Sequence, residues 1–168
     1  MQRMIAGDVV RALVPAFGLV VLFAAAVVLV TLAIEDARQK TVPGGRCFVF
    51  VALCAAFQAC CKSVSSLCAG ALWAAVCIAF WVAVNAAARR RTANRGAVAL
   101  GEGDVICMVG LCLASGFDAP MGFACCFAVA GAFSLAGLAT KRLRLGDAIP
   151  LIPFFCCWFA YAAFQVIV

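Results

Sequence analysis

The sequence predicts an all-α membrane protein, a bundle of about six transmembrane helices, from three observations. Of the 168 residues, 68% are hydrophobic and 12% are charged, whereas soluble domains are about half apolar and about a quarter charged. The apolar residues are collected in long runs, as membrane helices require. A chain this short cannot hide so much apolar surface in one core, and it is too apolar to be disordered. Soluble and disordered classes are therefore excluded.

The apolar runs define the predicted spans in chain order. The first is about 23 residues long, which exceeds the 7–15 apolar residues of a secretory signal peptide, so we interpret it as a retained helix. The second and fourth are short and borrow residues from their flanking loops. We expect a single transmembrane domain over residues 1–168, with no separate soluble domain. The six runs cover residues 12–34, 47–61, 64–88, 105–117, 119–140 and 148–168.

The distribution of cations predicts the orientation, because cytoplasmic loops collect Lys and Arg. Ten of the thirteen cations follow the first, third and fifth runs. This predicts a plasma-membrane protein with these loops in the cytoplasm and both termini outside. Basic loops next to spans lie against anionic headgroups of the lipid bilayer, so we expect no nucleic-acid partner. The ten are Arg38, Lys40, Arg46, Arg89, Arg90, Arg91, Arg95, Lys141, Arg142 and Arg144.

The twelve cysteines and the absence of histidine limit the chemistry that the chain can perform. The cysteines lie in or beside apolar runs and form no C-x-x-C pair, so we interpret them as small packing residues. We therefore expect no metal site, no redox site and no cofactor. Trp73, Trp81 and Trp158 lie within spans, which is typical of packing residues or interface anchors.

Four of the seven acidic residues lie at the predicted cytoplasmic face. Glu35 and Asp36 close the first span, and Glu102 and Asp104 open the fourth. Alone, each pair has a structural interpretation, a solvated helix end or an N-cap. Two neighbouring aspartates, however, share a proton, so one can take a proton from water while the other protonates a leaving amine. That chemistry hydrolyses a peptide bond without His, Cys, Ser or a metal.

Three motifs follow one another along the chain: D-x-R-x-x-x-[IV]-P, G-x-G-D and I-P-x-x-P-F. In this order, and on these loop sides, they resemble the type IV prepilin peptidase family, membrane aspartyl proteases that also include the archaeal preflagellin peptidases. Each motif alone is weakly specific, but the three together are specific. They are formed by Asp36, Arg38, Val42 and Pro43, by Gly101, Gly103 and Asp104, and by Ile149, Pro150, Pro153 and Phe154.

The resemblance implies that Asp36 and Asp104 are the catalytic pair of an aspartic endopeptidase. The family cleaves the basic leader of a prepilin or pseudopilin precursor at the cytoplasmic membrane face, as part of pilus or secretion machinery. Glu35 and Glu102 are then candidate subsite residues for the leader's cations. The chain is similar to the short, peptidase-only members of tight-adherence (Flp-type) systems, which lack a methyltransferase domain. No methyl donor or other cofactor is implied.

Two departures from the family pattern, and three other interpretations, stay open. Ile106 stands where many members have Lys, and Gly44 where many have Asn. The chain could be a non-enzymatic component, such as a transporter subunit or scaffold, but that class carries charges through its span interiors, which this sequence does not. It could be an inactive relative. A presenilin-type protease shares G-x-G-D but has Tyr-Asp where this chain has Glu35-Asp36.

Overall fold

Six α-helices and one short 3-10 turn form the part of the chain that the structure describes. The computed structural model describes residues 2–39, 42–92, 100–143 and 149–167. No strand occurs in these ranges, so the predicted all-α class is confirmed. In chain order the elements are α1 (Gln2–Gln39), α2 (Gly44–Cys61), α3 (Val64–Thr92), α4 (Glu102–Ser115), the 3-10 turn (Gly116–Asp118), α5 (Ala119–Ala139) and α6 (Ile152–Ile167).

Four helical segments within the described ranges have the length and apolar composition of membrane spans. They are Ala16–Gln39, Gly44–Cys61, Val64–Arg90 and Glu102–Ala139, and Ile152–Gln165 is a shorter apolar helix. The chain therefore has the composition of a membrane protein. The longest segment, 38 residues, contains α4, the 3-10 turn and α5.

The helices differ from the predicted apolar runs mainly at their ends. α1 extends from residue 2 to residue 39 and α4 starts at residue 102, because helical hydrogen bonding continues through polar residues that interrupt an apolar count. α6 starts at residue 152, four residues later than predicted. Three of the ten cations that predict the orientation, Lys40, Arg95 and Arg144, lie outside the described residues.

The chain reverses direction between α4 and α5 at Gly116. This glycine has a φ of +63°, and a Cβ there would overlap Ser66 Oγ near the start of α3, so the turn lies beside that end of α3. Further along α3, the Phe80 ring packs against Phe123 and Phe127 of α5 at centroid distances of 5.8 and 6.2 Å. α5 therefore runs back along the bundle rather than extending α4.

α4 is the central helix, packed against α2, α3 and α6. Glycines allow this close approach: a Cβ on Gly110 would lie 2.9 Å from the Phe50 ring, and one on Gly70 would lie 2.7 Å from the Cys112 carbonyl oxygen. Met108 and Leu111 of α4 are fully buried. Because α4 is central, its first turn lies in the middle of one end of the bundle.

Polar groups hold the opposite end of the bundle. The buried Gln58 amide is hydrogen-bonded to the Ser66 hydroxyl at 2.7 Å. The Lys62 amine donates to the Ser115 carbonyl at 3.4 Å, and the Trp158 indole donates to the Ser115 hydroxyl at 3.0 Å. The first bond joins α2 to α3, and the two bonds to Ser115 join the end of α4 to the residue that follows α2 and to α6.

Replacing Gly116 should destabilise the protein. Gly116→Ala places a Cβ against Ser66 and puts a side chain at a positive φ, which costs about 1–3 kcal/mol. A lower melting temperature in detergent would measure this. The matched control is Gly131→Ala, because a Cβ on Gly131 meets nothing within 4 Å. A Gly116→Ala variant as stable as Gly131→Ala would contradict the turn geometry.

Candidate active site

Asp36 lies in the last turns of α1, where it is 7% exposed. Its Oδ2 atom accepts the backbone N–H of Ile152 at 3.1 Å, and the Leu151 backbone also hydrogen-bonds to it. The first N–H groups of a helix have no partner within the helix, and their positive dipole end attracts a carboxylate. Pro150 and Pro153 flank these donors and have no N–H of their own. Asp36 therefore joins the end of α1 to the start of α6.

Asp104 lies in the first turn of α4, and its Oδ2 atom accepts the Gly101 N–H at 3.1 Å. The N-cap is Gly101, so the interpretation of Asp104 as the N-cap is wrong: it reaches back from the third helical position. A Cβ on Gly101 would lie 3.2 Å from that oxygen, and one on Gly103 would lie 3.4 Å from Val42 Cβ. The two glycines therefore make room for the carboxylate and for the segment before α2.

Asp36 and Asp104 lie at the same end of the bundle. The two carboxylates lie close enough to interact electrostatically, and both also lie within electrostatic range of the buried Cys47 thiol of α2. The end of α1 and the first turns of α2, α4 and α6 thus surround one acidic pair. Residues of the first motif contact the second through Val42, and contact the third through the Asp36 bond to the start of α6.

The other predicted site residues are arranged around the pair in different environments. Arg38 and Pro43 are exposed, and Glu102 is exposed on the first turn of α4. Glu35 forms an ion pair with Arg46 at the start of α2. The second oxygen of Glu35 is buried without a hydrogen-bond partner in the described part of the chain. Of the two candidate subsite carboxylates, Glu102 is thus accessible to a substrate, whereas Glu35 is already paired with Arg46.

Sequence reasoning missed the residues that hold Leu100, directly before G-x-G-D. The Asn85 amide of α3 accepts the Leu100 N–H and donates to the Leu100 carbonyl, both at 3.0 Å. The Trp81 indole donates to the same carbonyl at 2.9 Å, so it does more than pack. The signal that could have found Asn85 was an uncharged amide inside an otherwise apolar run, since such groups are costly there without a partner.

A cavity away from the acidic pair offers no acid or base. It has a volume of about 230 Å³ and lies between α3, α5 and α6, with Trp73, Phe123 and Trp158 in its wall. All twelve cysteines are free thiols. Across the described ranges, no group of three or more His, Cys, Asp or Glu side chains could hold a metal ion. The paired carboxylates are therefore the chemically distinctive feature of the described residues.

Comparison with known proteins adds no assignment. No protein-family model, curated protein or solved structure matches the chain. The function must therefore be argued from the motifs and from the geometry of the acidic pair.

Contact between the first two motifs should be detectable by disulfide trapping. The Cβ atoms at positions 42 and 103 would lie 3.4 Å apart, close to the usual disulfide spacing of about 3.8 Å. Val42→Cys with Gly103→Cys should cross-link on mild oxidation, as read by mass spectrometry. The variant also needs Cys47→Ala, because Cys47 Sγ would lie 3.8 Å from the same Cβ.

The control pair is Val42→Cys with Glu102→Cys in the same background. Residue 102 is one position away, which turns its side chain by about 100° around α4, and it is exposed. Equal cross-linking in both pairs, or none in the first, would contradict the contact.

Proposed function

We propose that this protein is a membrane aspartic endopeptidase that removes the leader peptide from prepilin- or pseudopilin-like precursors. The reaction would use Asp36, Asp104 and one water. One observation carries the proposal: Asp36 bonds to the start of α6 and interacts with Asp104 on α4, so residues from three separate motifs meet at one pair of carboxylates. Composition alone would not require that convergence.

The anchoring of the two carboxylates suits water activation. Each is held through its Oδ2 atom by a backbone N–H, from Ile152 and from Gly101, which sets the orientation of both groups before a substrate binds. In the proposed reaction one carboxylate accepts a proton from water, and the resulting hydroxyl attacks the scissile carbonyl carbon. The other carboxyl group donates its proton to the leaving amine. No covalent intermediate is needed.

The proposed topology has six crossings, with the 38-residue segment crossing twice and α6 as the last span. The reversal at Gly116 and the return of α5 along α3 support two crossings in that segment. α4 has 14 residues, or about 21 Å, which is shorter than the roughly 30 Å hydrocarbon layer. Its first turn can therefore be recessed at the membrane face, where the leader meets the apolar stem of the substrate.

The side of the membrane follows from the cations. Ten of thirteen cations follow the first, third and fifth apolar runs, which favours a cytoplasmic position for the end of the bundle that contains Asp36 and Asp104 and outward termini. A prepilin leader is cytoplasmic and basic, and its stem is apolar, so such a substrate would present its cleavage site to Asp36 and Asp104. Glu102, exposed beside Asp104, is the proposed contact for the leader's cations.

An inactive relative is the second candidate, and Ile106 favours it. This residue packs partly buried against the core, where many members of the family have Lys. If that Lys contributes to catalysis in the family, this chain would keep the fold and lose turnover. The two candidates differ in one measurable property, leader cleavage.

Both aspartates should be essential for cleavage. The protein is co-expressed with each prepilin encoded in its own genome, in cells lacking other prepilin peptidases, and leader removal is followed by gel shift and N-terminal sequencing. Asp36→Asn and Asp104→Asn should each slow cleavage by about a thousandfold, the range for loss of a general acid or base. Asp118→Asn is the matched control, because Asp118 lies in the turn at the opposite end of the bundle.

Cleavage that survives either catalytic substitution would contradict the assignment of the pair. If the inserted wild-type protein cleaves no precursor and Ile106→Lys restores cleavage, the chain is an inactive relative. If neither protein cleaves, the peptidase proposal is wrong.

The two candidate subsite carboxylates should differ in their effect. Glu102→Gln should raise the KM for a basic leader by about two- to fivefold, the value of one exposed charge contact, and should weaken its salt dependence. Glu35→Gln should change KM less, because Glu35 is already paired with Arg46. Both are measured with one leader peptide and with its variant lacking cations. Equal effects, or a Glu102→Gln effect that persists with the uncharged leader, would contradict this subsite.

A further inference from the structure

Two α3 side chains hold the backbone of Leu100 from one side. Asn85 pairs with both polar groups of this residue, accepting its N–H and donating to its carbonyl at 3.0 Å each. The Trp81 indole, one turn earlier on α3, donates to the same carbonyl at 2.9 Å. Asn85 is 6% exposed and Leu100 is 9% exposed. These three hydrogen bonds, from two side chains to one buried residue, are called the Leu100 clamp.

The clamp lies immediately before the residues that orient Asp104. Leu100 is followed by Gly101, whose N–H donates to Asp104 Oδ2 at 3.1 Å. The Leu100 carbonyl and the Gly101 nitrogen belong to the same peptide plane, which is rigid. Groups that fix the Leu100 carbonyl therefore also fix the direction of the Gly101 N–H.

We propose that Asn85 is a positioning residue for Asp104, with Trp81 as its partner in the clamp. It acts through the 100–101 peptide plane, which directs the Gly101 N–H at the Asp104 carboxylate and so orients that carboxylate for its encounter with Asp36. The inference rests on the proposed function only in giving Asp104 a catalytic role. The orientation of the carboxylate is a property of the protein without substrate.

The chemistry at position 85 matches this role better than packing alone. A primary amide has one acceptor and two donors, which is what a single peptide residue with an unpaired N–H and C=O requires. Burying such a group in an apolar helix is unfavourable unless it is hydrogen-bonded, and an apolar residue would fill the space without that cost. Leu100 lies just before α4, so its N–H and carbonyl do not bond within that helix. The buried Asn85 amide supplies hydrogen-bond partners for both groups.

The test measures the chemical exposure of Asp104 in the purified full-length protein in detergent, without any substrate. Dicyclohexylcarbodiimide, an apolar reagent for protonated carboxyl groups, is added, and the modified Asp104 and Glu102 are quantified by mass spectrometry. Glu102 is the internal reference. In Asn85→Ala the Gly101 N–H loses its direction, so the Asp104-to-Glu102 labelling ratio should rise about fivefold, the equivalent of one net hydrogen bond. Trp81→Phe keeps the ring and removes one clamp bond, so it should raise the ratio about twofold.

Gln58→Leu is the matched control. Gln58 is also a fully buried amide that bonds between helices, to Ser66, but at the opposite end of the bundle. It should lower the melting temperature as Asn85→Ala does and leave the labelling ratio unchanged. A ratio that rises equally in Gln58→Leu would mean that general destabilisation is the cause, and would overturn the proposal.

An unchanged ratio in folded Asn85→Ala would also overturn it. If Asn85→Ala does not fold, Trp81→Phe decides by the same criterion. Failure of the proposed peptidase function remains distinguishable, because the labelling ratio is independent of cleavage. If the Asn85→Ala substitution raises the Asp104-to-Glu102 labelling ratio but the protein cleaves no precursor, the positioning role is supported and the peptidase proposal is contradicted.

Discussion

The buried Asp36 carboxylate at the end of α1 accepts the first backbone N–H of α6. This hydrogen bond joins the two helices at the end of the bundle that contains the acidic pair. Removing the Asp36 carboxylate from water is costly, and the cost is offset because the start of α6 supplies unpaired N–H donors and the positive end of its dipole. This bond connects residues 116 positions apart. The placement of α6 against α1, and the approach of Asp36 to Asp104, both depend on it.

The second constraint is the close packing of α4 among its neighbours. Glycines at positions 70 and 110 remove side-chain volume where α3 and α2 cross it, and Gly101 and Gly103 do the same around the first turn. A larger residue at these contacts would displace α4, and Asp104 would move with it. The two glycines of G-x-G-D therefore have a steric role. Gly101 leaves room for the Asp104 carboxylate, and Gly103 leaves room for Val42.

Much of this arrangement could be predicted from the sequence, and the failures have physical causes. The apolar fraction and run lengths were sufficient for the all-α class, and the break at residue 118 between the fourth and fifth apolar runs was sufficient to separate α4 from α5. The helix ends were not predictable from apolar counts, because α1 continues through the polar residues Glu35, Asp36, Arg38 and Gln39. The cation distribution predicted that Asp36 and Asp104 lie on the same side, and the structure places both at one end of the bundle. The Asn85 clamp and the engagement of Glu35 by Arg46 depend on how helices pack, which no local pattern encodes.

The proposed reaction depends on Asp36 and Asp104 forming one pair at one end of the bundle, with Asp36 bonded to the start of α6. The most direct measurement is an experimental structure of the full chain in a lipid nanodisc, with a bound antibody fragment as a fiducial. We expect the two carboxylates to face each other closely enough for one water molecule to contact both, and Asp36 to accept the Ile152 N–H. Aspartates at opposite membrane faces, or an Asp36 side chain directed away from α6, would contradict it.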